Sequence, residues 1–120
     1  CGAGRALGYV CAPSLFQHIL PAVAGAGPDL DAYRRPRDLL LAAFRDLGYT
    51  CTDPAGAFYL FVKAPHGDAA AFCARAREKE LLFVPSDSFG LPGYVRIAYC
   101  VEEGMVRRAL PAIRALGPAQ

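Results

Sequence analysis

The sequence has no CxxC, no CxxxxC and no histidine near any of its five cysteines, so it offers no closely spaced thiolate and imidazole ligands for a zinc site. No apolar run approaches the roughly 20 residues of a membrane-spanning helix, and no basic-then-apolar leader opens the sequence given. A membrane partner is therefore not expected. Charge of one sign is also scarce. Thirteen basic residues against 11 acidic leave a formal net charge of +2, too little for a dedicated nucleic-acid binder. Apolar residues make up 54% of the chain and charged residues 20%, which excludes disorder.

What remains is one domain. The 120 residues are too few for two independent cores but bury roughly 65% of the unfolded surface, so residues 1–120 need no staple. Unpaired thiols without a secretion signal predict a reducing, cytoplasmic home. Cys73, among alanines on a helical stretch, and Cys100, ending an apolar strand, both read as small core hydrophobes. Residues 1–13 hold three glycines and no helix cap, and read as a loop or as the continuation of something upstream. Met105 is the only methionine, so the chain is expected to be a piece of a longer one.

Ser14 and Gln17 form a capping box ahead of Leu15, Phe16, Ile19 and Leu20, predicting a short helix that Pro21 kinks or ends. A longer helix is expected over 30–47, with Tyr33, Leu40, Phe44 and Leu47 on one face, Asp29 or Asp31 as cap and a kink at Pro36. Residues 56–64 read as a strand buried on both faces or nearly so. Asp68 can cap a helix with Ala69, Phe72, Cys73 and Ala76 as its buried stripe. Residues 81–84 form a short strand stopped by Pro85, 94–101 a third strand, and 102–116 a last helix with acidic start and basic tail. A further strand at 49–52 is too short to be secure. The pattern predicts an α+β fold: a small, mainly antiparallel sheet of three to four strands with helices packed on one face.

Few residues carry chemistry. Arg96 shares a strand face with Tyr94, Ala98 and Cys100, opposite Val95, Ile97 and Tyr99. A guanidinium amid apolar neighbours suits a planar anion, and a carboxylate matches its fork with two parallel hydrogen bonds. The same residue also fits the solvent side of a half-buried strand. The loop 85–93, with Ser86, Asp87, Ser88 and two glycines, lacks the lysine and spacing of a P-loop and reads as an ordinary connection. Phe58 and Tyr59 read as core aromatics, and His18 as a helix-face histidine. No catalytic triad or carboxylate pair is legible.

In order, PAGAFYLFVKAP, a helix, LLFVPSDSFGLPGYVRIAYC and a closing helix resemble the C-terminal small domain of class I/II aminotransferases, fold-type I enzymes dependent on pyridoxal phosphate. LGYVCAPSLFQ and DAYRRPRDLLLAAFRDLGY are similar to the stretch leading into that domain, so residues 1–28 would partly be a connecting segment from a missing N-terminal large domain. The resemblance implies that Arg96 grips the α-carboxylate of an amino acid or 2-oxo acid. It also implies that Gly56 and Phe58 border the substrate's way in, one giving room and the other a wall. It implies a homodimer as parent. The family's cofactor lysine stands in an S-x-x-K context, which neither Lys63 nor Lys79 has, so the chain is expected to supply no catalytic or cofactor-binding residue and to be inactive alone. The competing expectation is a stand-alone α+β module that binds an amino acid without chemistry.

Overall fold

The structure, a computed structural model, describes residues 13–118. The loop expected over residues 1–13 lies almost wholly outside the described residues, as do Cys1, Arg5 and Cys11. The elements follow the expected order: α1 (Ser14–Val23), α2 (Asp31–Asp46), β1 (Tyr59–Lys63), α3 (Ala69–Arg77), β2 (Val84–Pro85), β3 (Tyr94–Ala98) and α4 (Glu103–Arg114). Short 3-10 turns occupy Pro65–Gly67 and Asp87–Phe89.

The helix starts divide by whether an oxygen-bearing side chain reaches the first free N–H groups. Asp29 does so for α2, its Oδ1 accepting from Asp31 N at 3.0 Å and Ala32 N at 3.3 Å. Asp68 does so for α3, accepting from Ala71 N at 2.9 Å. The capping box expected at Ser14 does not form. Pro13 takes the cap position, its ring offers no acceptor, and Ser14 is already helical. Pro21 lies inside α1, which stops two residues later at Val23. Likewise α2 is unbroken across the fully buried Pro36.

Among the described residues, none of α1 is buried. By contrast α2 packs Leu40, Leu41, Ala43 and Phe44 into the core, while Tyr33, expected on the buried face, is exposed near the start of the helix. The α3 stripe is as expected: Ala69, Phe72, Cys73 and Ala76 are buried.

The sheet has the order β1-β3-β2 and is antiparallel throughout. Cys51 forms an isolated bridge with Val62, and Lys63 N donates to Thr50 O at 2.8 Å, so the short stretch near 49–52 borders β1 without becoming a full strand. Residues 81–83, expected to be strand, are not in the sheet, and Pro85, expected to stop β2, is its last paired residue. It pairs with Val95 at the sheet edge, where a missing N–H costs no interior ladder bond. Burial in β1 alternates: Leu60 and Val62 are fully buried, Tyr59 and Phe61 only half so, which corrects the expectation of a strand buried on both faces.

Leu60, Val62, Val95 and Ile97 share the face covered by helices and join Phe44, Phe72, Val106 and Ile113 in one core. Four rings lock its centre. Tyr49 stands edge-on to Phe44 at 5.6 Å and stacks on Phe72 at 5.4 Å, with Phe83 within 6.0 Å of Phe44 and 5.8 Å of Phe72. Full burial of each such side chain contributes about 1.5–3 kcal/mol. Cys100 is exposed, against expectation, because β3 ends at Ala98 and the chain leaves the sheet before reaching it.

Candidate carboxylate-binding site

Arg96 lies in the middle of the middle strand, opposite Phe61 of β1 and Val84 of β2. Strand alternation puts its neighbours Val95 and Ile97 in the core, so the Arg96 side chain leaves from the face away from the helices. There its guanidinium carbon sits 4.3 Å from the centroid of the Tyr59 ring and 3.9 Å from that of Phe89. Two rings thus hold a planar cation.

Most other arginines that make contacts find an oxygen. Arg34 pairs with Asp31, Arg37 with Asp38, Arg45 with Asp53 and Arg107 with Glu103, while Arg75 donates to Leu116 O. Among the described residues Arg96 has no ion pair and no hydrogen bond; its partners are π faces. Ring contacts attract the cation without consuming its N–H donors, which point outward in the plane of the fork. A half-buried guanidinium in this condition is complementary to a planar, doubly accepting anion.

Phe89 reaches Arg96 because the connection between β2 and β3 is folded tightly. Ser86 N donates to Tyr94 O, and Ser86 O accepts from Phe89 N and Leu91 N. Gly90 N donates to Asp87 O, with Gly90 in the left-handed region at φ 78° as glycine readily allows. These N–H groups are spent inside the loop, in agreement with its reading as a connection. The Ser86 hydroxyl is buried with no partner among the described residues.

Gly56 and Phe58 lie in the turn before β1 and line a surface cavity of about 370 Å³ together with Tyr33, Arg34 and Tyr99; Arg96 is not part of that lining. Phe58 connects to Arg96 through one ring, since its centroid is 4.7 Å from that of Tyr59. A Cβ at Gly56 would meet nothing within 4 Å, so nothing in the described residues requires a glycine there. The turn itself is pinned: Tyr99 Oη donates to Ala57 O at 3.0 Å and Tyr99 N to Phe58 O at 3.0 Å, with Ala57 at φ 59°. The sequence singles out Arg96 but not the two rings that lie against it, Tyr59 and Phe89. Tyr59 was findable, being diagonal to Arg96 on the same face of the β1–β3 pair. Phe89 gave no signal, because its reach depends on the folded loop.

Pyridoxal phosphate needs a lysine and a phosphate cradle. Lys79 is exposed just past α3, and exposed Lys63 borders a cavity with Thr50 and His66 whose lining does not include Arg96. The described residues do not fit this group. Among titrating groups, burial raises the pKa of the Cys51 and Cys73 thiols and of the Tyr49 phenol, opposed by the charges of Arg45, Arg77 and Arg75 respectively. All three belong to the scaffold, away from Arg96.

Comparison with known proteins identifies this scaffold. The structure superposes on an amino transferase from Eubacterium rectale with a TM-score of 0.89 and 52% identity, over 97% of this chain and 29% of that one. The sequence is 38% identical over 94 residues to an aspartate/prephenate aminotransferase of Thermus thermophilus, covering 74% of this chain and 24% of the relative. It is 35% identical over 86 residues to an LL-diaminopimelate aminotransferase of Nitratidesulfovibrio vulgaris, covering 68% of this chain and 22% of the relative. The chain thus spans about a quarter of the length of the curated relatives it matches. Residues 10–113 match the family described as Aminotransferase class I and II, and the chain belongs to that family.

Proposed function

We propose that this chain is the C-terminal small domain of a pyridoxal-phosphate-dependent aminotransferase, and that Arg96 binds the α-carboxylate of the amino acid and 2-oxo acid between which the whole enzyme moves an amino group. The observation that carries the reading is the Arg96 guanidinium, clamped by two rings and free of any carboxylate from the described residues. Arg96 contributes position. A substrate held by both carboxylate oxygens loses rotation about its long axis, which keeps its reacting end in one orientation. Phe58 supplies an apolar wall one ring away, and Gly56 leaves open space beside it. The cofactor is held by parts of the enzyme other than these residues, so the chain alone is inactive. A homodimeric parent at work in the cytoplasm fits the same reading.

The test is Arg96→Leu in the full-length enzyme. Loss of a bidentate charged pair is expected to lower kcat/KM for the amino acid by roughly a hundredfold or more. A value near that of the unmodified enzyme would overturn the role.

A further inference from the structure

The ring contacts of Arg96 have a role of their own. A guanidinium on a flexible stem, exposed to water, samples many orientations and loses that freedom when it binds. Here the Tyr59 and Phe89 rings lie within 4.3 Å and 3.9 Å of the guanidinium carbon and come from different elements, β1 and the turn at Asp87–Phe89. Two rings therefore lie against the guanidinium before any ligand arrives, and among the described residues none of its N–H groups donates a hydrogen bond. The Phe89 ring is itself half exposed, so packing in the core does not account for its place. Its position follows from the loop bonds at Ser86 and the left-handed Gly90, which aim the ring back over the sheet.

We propose that Tyr59 and Phe89 are positioning residues. They hold the Arg96 fork flat so that it accepts a carboxylate edge-on, and they set the site's preference for a planar carboxylate over a neutral or tetrahedral group at that end of the substrate. This rests on the reading of Arg96 given above. It predicts that each ring acts on the carboxylate end alone.

The experiment uses the full-length holoenzyme with Arg96→Leu, Phe89→Leu, Tyr59→Leu and the ring-keeping Tyr59→Phe. KM and kcat are measured for an amino acid, and inhibition by the corresponding amine without a carboxylate is measured alongside. Removing one ring is expected to raise KM on the order of tenfold with a smaller change in kcat, the size expected of a desolvated cation–π contact. Inhibition by the amine should stay unchanged, and Tyr59→Phe should behave as the parent. Phe89 lies in an exposed loop, so Phe89→Leu keeps the test open should Tyr59→Leu fail to fold. A second readout needs no turnover: the Arg96 side-chain protons should resonate upfield through ring currents and move downfield in Phe89→Leu. If Arg96→Leu weakens amino acid binding while Phe89→Leu and Tyr59→Leu match the parent in KM, and Phe89→Leu also matches it in the Arg96 resonance, the clamp is wrong and the arginine's role stands. If Arg96→Leu changes nothing, both fall. Equal weakening of amino acid and amine by Phe89→Leu would also overturn the clamp.

Discussion

Tyr99 donates its hydroxyl to the Ala57 carbonyl oxygen at 3.0 Å, joining the chain just past β3, the strand of Arg96, to the turn that carries Gly56 and Phe58. The tyrosine ring is buried, whereas Ala57 is exposed, so the bond anchors an outer turn to the core. Arg96 and Phe58, 38 residues apart in sequence, are thus tied by this side chain and the neighbouring backbone bond in addition to the β1–β3 ladder.

Tyr99→Phe removes that bond and keeps the ring. Its expected cost is about 1 kcal/mol, the usual net value of one intramolecular hydrogen bond. Urea unfolding should show a lower midpoint at unchanged slope. An unchanged midpoint would mean that the turn is held by the Tyr99 N to Phe58 O bond alone.

Ala57 sits at φ 59°, where its Cβ crowds the backbone. Ala57→Gly should therefore stabilise the fold by about 0.5–1 kcal/mol, the relief of left-handed strain less the extra chain entropy glycine brings to the unfolded state. Thermal unfolding reads the sign directly. A destabilised variant would show that the alanine is not held in the left-handed region.

Alkaline pH acts through three scaffold groups. Burial raises the pKa of the Cys51 and Cys73 thiols and of the Tyr49 phenol, so above their ordinary values the folded state binds more protons than the unfolded one. Their contribution is complete below the ordinary thiol value of about 8.5, then falls as pH rises through the raised values, with Tyr49 following from about 10. The unfolding midpoint is expected to be level near neutrality and to drop on the alkaline side. Cys73→Ala should soften the first part of that drop. A midpoint that rose above pH 9 would contradict the sign.

Much of this was legible from local pattern. The stripe of α3 follows from helical spacing and Asp68, and the opposition of Arg96 to Val95 and Ile97 follows from strand alternation. The misses have physical causes. Ser14 offered a hydroxyl, but Pro13 already provides the extended cap geometry, and the helix takes in the serine. Cys100 looked apolar from its neighbours, but strand length is set by pairing, and β1 begins opposite Ala98. Pro85 looked like a stop because its edge location is a property of strand order, which no local window contains. The arginine was visible by its chemistry and its family resemblance. The ring from Phe89 was not, since a tight turn between non-adjacent positions decides where it points.

That same proline has an effect beyond the ladder. An outermost strand ordinarily presents open donors to any extended segment that drifts past, which is how sheets grow between molecules. With only two paired residues in β2, one of them lacking an N–H, this border is a poor template for recruitment. Along its β2 side the sheet thus gives a passing strand little to pair with.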